Sequence, residues 1–153
     1  MYTEKELAEK VRYAYSHGDF DVLFPLMEED YEHISFWVLE VIRGKAAAVR
    51  YYTGKGRAIR AAGTADISTG LVRITKAPDR VRPNGVFRNG VRHIEDAAFL
   101  HRSDANKIGV LMHQTVNGED VCTLAIPTVS ENGLLRQVLI ANPDLYAWEP
   151  VED

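Results

Sequence analysis

The sequence predicts an α+β domain, with N-terminal helices packed on a curved, mainly antiparallel sheet. Two observations predict it. Helical patterns with one strand among them occupy residues 3–62, and strand patterns dominate afterwards, the order expected when helices cover one face of such a sheet. Within the strand-rich part, Asn117-Gly118 and Asn132-Gly133 each lie between runs rich in Val, Ile, Leu and Thr. Asn-Gly supplies the two positive φ angles of a type I′ turn, so residues 107–141 should form three long antiparallel strands.

Each element has its own signal. Thr3 and Glu6 form a capping-box pattern, and Leu7, Val11, Ala14 and Tyr15 then recur on one helical face before Gly18 ends the helix. Asp19 can cap a second, shorter helix through Met27, which Pro25 should bend or limit to two turns. Residues 30–38 read as a strand. Ile34, Phe36 and Val38 share one side of it; Tyr31, His33, Ser35 and Trp37 share the other. Gly44 opens a third helix that runs through Tyr52; Gly54 and Gly56 interrupt it, with a short continuation to Ala62. Residues 65–76 can be a strand. Asn84-Gly85 and Asn89-Gly90 suggest a compact, irregular hairpin, and 93–102 reads as another strand. The tail from Asn142 to Trp148 should leave the sheet and pack its aromatic residues along an edge.

With two-residue turns at both Asn-Gly pairs, His113 faces Cys122, Leu111 faces Leu124, Ile126 faces Leu139 and Ala125 faces Ile140. One face then carries Leu111, His113, Cys122, Leu124, Ile126, Leu135, Leu139 and Ala141. The other carries Val110, Met112, Val121, Thr123, Ala125, Val138 and Ile140, with Gln114 and Arg136. Both faces are largely apolar, so both should be covered. The expectation is that the helices lie over the first face and a second copy of the chain covers the other, making a homodimer.

Composition bounds the function classes. The chain, residues 1–153, suits a single domain with a real core. A net charge of −4 argues against a general nucleic-acid binder. Cys122 is the only cysteine, so no internal disulfide forms, and a reducing, cytoplasmic setting is the simplest home. No apolar run approaches the roughly 18 residues of a membrane span, and no signal segment is expected.

Gly18-Asp19-Phe20-Asp21 after the first helix, Glu29-Asp30 before a strand, Arg43-Gly44-Lys45 opening a helix, and the final strand from Asn132-Gly133-Leu134 to Asn142-Pro143-Asp144-Leu145 resemble the nuclear transport factor 2-like superfamily. That superfamily includes ketosteroid isomerases and SnoaL-type polyketide cyclases. The resemblance implies a cystatin-like cone with a pocket between helices and concave sheet, often dimeric through the convex side. It does not imply one reaction. The isomerase oxyanion tyrosine would fall near Val11, with Tyr15 one turn later. The catalytic aspartate would fall near Ser35, which cannot act as a carboxylate base, so steroid-isomerase chemistry by that mechanism is not expected.

The expected pocket residues are Tyr15, His33, Trp37, Tyr52, Leu111, His113, Cys122, Leu124 and Leu139. His113 beside Cys122 could activate a thiolate; the plainer and preferred reading is a packed thiol with no oxyanion hole near it. His93, Asp96 and His101 do not converge as metal ligands, because Asp96 has the wrong strand parity, and no metal or cofactor is implied. The basic residues between Arg73 and Arg92 read as a solvated loop surface. The function expected is binding of a small apolar or planar ligand. Isomerase, cyclase or hydratase chemistry through Tyr15, His33 or His113 is the first alternative, and an interaction module without a ligand is the second.

Overall fold

Helix α1 (Glu4–His17) starts on the capping box that Thr3 and Glu6 encode. The Thr3 hydroxyl accepts from the Glu6 amide at 3.1 Å, and the Glu6 carboxylate accepts from the Thr3 amide at 2.9 Å. Leu7, Val11, Ala14 and Tyr15 form its buried stripe, as their spacing requires. Gly18 ends it at φ 63°, and the chain passes through a 3-10 segment, Asp21–Leu26, into strand β1 (Met27–Ser35). Pro25 sits inside that segment, which stays short because proline cannot donate to a continuing helix.

The computed structural model describes residues 1–35, 41–81, 86–88, 91–93 and 99–151, with backbone alone for 86–88, 91–93 and 116. After β1 come β2 (Ile42–Arg43), α2 (Lys45–Ala62), β3 (Ser68–Lys76), β4 (Arg80–Val81), β5 (Val86–Arg88), β6 (Val91–His93) and β7 (Leu100–His101). The chain ends with β8 (Ile108–Val116), β9 (Glu119–Val129), β10 (Leu135–Ala141) and β11 (Ala147–Pro150). The main sheet has the order β11-β3-β8-β9-β10-β1-β2. Every neighbouring pair is antiparallel except β1 with β10. The expected α+β architecture is therefore present. The four-residue β11 makes the tail an edge strand beside β3, where the sequence suggested departure from the sheet. No helix among the described residues is long and apolar enough to cross a membrane.

Helix α2 corrects a second expectation: it runs unbroken through Gly54 and Gly56. Each glycine costs a helix interior about 1 kcal/mol relative to alanine. Packing decides otherwise at Gly56, which is buried against the end of α1. A Cβ there would lie 2.7 Å from the Gly18 carbonyl oxygen, so only glycine lets the two helices approach this closely.

The first hairpin has the register its turn encodes. Asn117 and Gly118 both have positive φ, 52° and 79°, and His113 pairs with Cys122 and Leu111 with Leu124. The second hairpin keeps the expected Ile126–Leu139 and Ala125–Ile140 pairs, yet its turn is wider. Gly133 has φ 70° while Asn132 does not take a positive φ, and the Ser130 amide donates to the Leu134 carbonyl across the loop. A bulge between Leu135 and Gln137 absorbs the difference. It turns Leu135 to the side of the sheet opposite Leu139, where the sequence had both on one side.

The two faces are the reverse of the expected assignment. Val110, Met112, Ala125, Val138 and Ile140 pack with Leu7, Val11 and Tyr15 of α1 and with Ala48 and Tyr52 of α2. The surface expected to pair with a second copy is thus the one the helices cover. Leu124, Ile126, Leu139 and Ala141 lie on the other side with Ile34, Val72, Ile74 and Tyr146, and Leu111 packs against that group. Alternation put these residues in the right sets; it carried no information on which set meets the helices.

Candidate functional site: a cavity between the helices and the sheet

Alternate residues of β1 face the helices. Tyr31, His33 and Ser35 point to that side, as their parity predicted, and Ile34 points away. Tyr52 of α2 comes down onto them. Its hydroxyl lies 2.6 Å from the Tyr31 hydroxyl and 2.8 Å from His33 Nδ1. All three side chains are essentially inaccessible to water. Phe20 stacks on the Tyr52 ring at 4.7 Å, and Tyr15 meets Phe20 edge-on at 4.9 Å. The result is a rigid aromatic wall held by a three-membered hydrogen-bond chain.

Beside this wall lies a cavity of about 220 Å³. Tyr15 reaches it from α1, His33 and Ser35 from β1, and Tyr51, Lys55 and Ile59 from α2. Ile67, Met112, Gln114, Val121, Thr123 and Ile140 complete the lining. Two buried polar atoms on residues that line it, Tyr15 Oη and His33 Nε2, make no hydrogen bond of good geometry among the described residues, and both lie just behind the cavity surface. Most buried polar groups are paired, so two incomplete ones behind one cavity are informative.

Electrostatics sharpen the picture. Burial, with the positive charge of Lys55 added, pushes His33 down to about 3, so the imidazole is neutral. Burial raises Tyr15 well above the ordinary tyrosine value, and raises Tyr51 as well, so both phenols stay protonated. Burial lowers Lys55. Its Nζ lies 5.9 Å from the centre of the Tyr15 ring and 6.0 Å from that of Tyr51. No carboxylate lines this cavity among the described residues. The site can therefore donate hydrogen bonds and offer positive charge; it is poorly equipped to accept a proton near neutral pH.

The expected site residues divide. Tyr15 and His33 line the cavity, and Tyr52 stands directly behind His33. Leu111, His113, Cys122, Leu124 and Leu139 belong to the opposite side of the sheet, which corrects the expectation that they lie beneath the helices. Trp37 and Asp96, and the Asn84-Gly85 and Asn89-Gly90 turn signals, fall outside the described residues. Cys122 Sγ is 3.9 Å from His113 Nε2 at an exposed position, and desolvation, then the charge of Asp144, raises the thiol. That is the environment of an unreactive cysteine. Leu139 instead lines a second, more apolar cavity of about 310 Å³ with Ile34, Val81, Phe99 and Tyr146.

Sequence reading missed Lys55 and chose Tyr52 over Tyr51. The signal was available: Tyr51, Lys55 and Ile59 are spaced four apart and form one stripe of a continuous helix. Reading the flanking glycines as a helix end hid it. Gln114 and Thr123 share one face, as strand parity requires, and the helices cover that face.

No protein-family model matches the chain, and no curated protein sequence matches it. Solved structures do. A structure described as Rd1NTF2_04 with long sheet matches at TM-score 0.54 and 13% identity, over 91% of this chain and 100% of that one. A nuclear transport factor 2-like protein of unknown function from Cytophaga hutchinsonii matches at TM-score 0.50 and 11% identity, over 92% and 96%. A putative polyketide cyclase from Sinorhizobium meliloti is similar at TM-score 0.49 and 13% identity, over 92% and 100%. The fold is that of the nuclear transport factor 2-like proteins, as the sequence motifs suggested. At this identity the likeness establishes the fold and not an activity.

Proposed function

We propose that the protein is a small-molecule-binding domain whose ligand occupies the cavity between α1, α2 and the concave side of the sheet. The observation that carries this reading is one mostly apolar cavity whose lining includes Lys55, Gln114 and Thr123, backed by two buried polar atoms, His33 Nε2 and Tyr15 Oη, that make no hydrogen bond of good geometry among the described residues. Apolar walls with a few oriented polar groups are the usual composition of a ligand site. At about 220 Å³ the space lies below the roughly 300–1,000 Å³ of common ligand pockets, so the ligand is compact.

An isomerase or cyclase reading is the alternative, favoured by the convergence of Tyr15 and His33 on one space. Among the described residues no carboxylate lines the cavity to act as its base, and His33 near 3 is too weak a proton acceptor for efficient transfer at neutral pH. A module without a ligand is supported less well, because the aromatic residues wall the cavity instead of filling it.

A calorimetric and thermal-shift screen of compact planar compounds tests the proposal against wild type and Val121→Trp, which places an indole on the lining. Binding to wild type that is lost in a folded Val121→Trp supports it. Binding that persists in Val121→Trp, or no binding by any compound, refutes it.

A further inference from the structure

Resting on that cavity reading, we infer that the ligand's head group is an acid: the cavity takes a compact apolar or aromatic carboxylate, with Lys55 as its counter-ion. The first argument is charge. Lys55 reaches a largely apolar lining, and no described carboxylate lies within ion-pair distance of its Nζ. Its companions are the rings of Tyr15 and Tyr51. A partly desolvated ammonium without a counter-ion is unfavourable, and an incoming anion offsets that cost. The buried carboxylate among the described residues is treated differently. Asp104, 1% exposed, receives Arg102 at 2.8 Å and Lys107 at 2.9 Å.

The second argument comes from counting protons along the chain Tyr31–Tyr52–His33. If Tyr31 donates to Tyr52 and Tyr52 donates to His33 Nδ1, every hydroxyl proton has an acceptor, and His33 carries its own proton on Nε2. In the opposite direction the Tyr31 proton is buried without an acceptor and Nε2 is an unsatisfied lone pair. The first arrangement leaves only one open group, an N–H on the residue that lines the cavity. The tautomer is assigned by this count. Tyr15, kept protonated, is a second donor: its hydroxyl interacts with that of Tyr52 but makes no hydrogen bond of good geometry. A cation on the lining and two incomplete donors close behind it favour a group that only accepts, and a carboxylate is such a group. A cationic ligand would meet Lys55 and find no described carboxylate.

Calorimetry with three probes of matched shape tests the inference: 2-naphthoate, 2-naphthamide and 2-naphthylmethylamine. Naphthoate should bind at least about tenfold more tightly than naphthamide, a ratio typical of one charge-assisted contact, and the amine should bind worst. Lys55→Met should remove most of the acid preference while retaining the amide. The preference should shrink as pH rises through the lowered value of Lys55. The other titratable groups on the described lining are Tyr15, Tyr51 and His33, the phenols raised and the imidazole already neutral, so the lysine loses charge first. Equal binding of acid and amide, or an acid preference that survives Lys55→Met, overturns the inference while the cavity reading stands. Binding of none of the three overturns both.

Discussion

The two faces of the sheet are both apolar and both covered, yet they treat polar groups differently. On the side away from the helices, charge is satisfied internally. The Asp104 carboxylate takes both Arg102 and Lys107, Arg102 also donates to Gln137, and Lys107 also reaches Thr128. Its open buried polar atom is Tyr146 Oη. On the helix side, Lys55 has no described acid, and His33 Nε2 and Tyr15 Oη are open. The difference is one of degree: one incomplete phenol, on Tyr146, borders the second cavity, whereas two incomplete groups and a lysine without a described acid gather at the first, and such a gathering marks where a ligand can complete them.

The largest expected effect breaks the apolar side. Leu124 is fully buried on β9, so Leu124→Ala should destabilise by about 2–5 kcal/mol, measured by urea unfolding, with little dependence on pH. A loss under about 1 kcal/mol would mean the site collapses around the missing atoms and this side is not a tight core.

The next effect belongs to the helix side and depends on pH. His33 is held at about 3 against an ordinary 6.5, so the unfolded chain binds a proton that the folded chain does not. Stability is therefore complete above 6.5 and falls with acidification, by roughly 1.4 kcal/mol per pH unit, until about 3. At about pH 4.5 the loss from this residue is roughly 2–3 kcal/mol. Asp104 acts with the same sign in a lower window. Its burial alone would raise it, but Arg102 and Lys107 hold it below 3.8, so it matters only under that value. His33→Gln should flatten the stability profile between 6.5 and about 4. An unchanged slope would show that His33 takes up a proton in the native state.

A smaller effect tests the hydrogen-bond chain itself. Tyr52→Phe keeps the ring stacked on Phe20 and removes the hydroxyl shared by Tyr31 and His33. It should cost about 1–3 kcal/mol, the penalty for buried groups left unpaired. A neutral result would mean water replaces the hydroxyl.

The smallest effect concerns the neighbours His113 and Cys122. Alkylation of Cys122 should be slow at neutral pH and rise only in the alkaline range, because the thiol is raised, and His113→Ala should leave that profile unchanged. Rapid labelling below neutral pH that His113→Ala abolishes would move reactive chemistry to the opposite side of the sheet.

The sequence by itself determined the local and periodic features. The capping box of α1, the Gly18 stop, the type I′ turn at Asn117-Gly118, the pairing of His113 with Cys122 and the shared side of Tyr31, His33 and Ser35 all depend on residues close in the chain or on strand parity. Tertiary structure decided which side of the sheet the helices cover, because two apolar sides satisfy alternation equally well. It decided that α2 continues through Gly56, because the gain lies in contact with Gly18, 38 positions earlier in the chain. It also turned Leu135 over through a bulge that no turn motif announces. The candidate site inherits both kinds of information: parity aims His33 at the helices, and only the docking of an unbroken α2 brings Lys55 and Tyr51 to meet it.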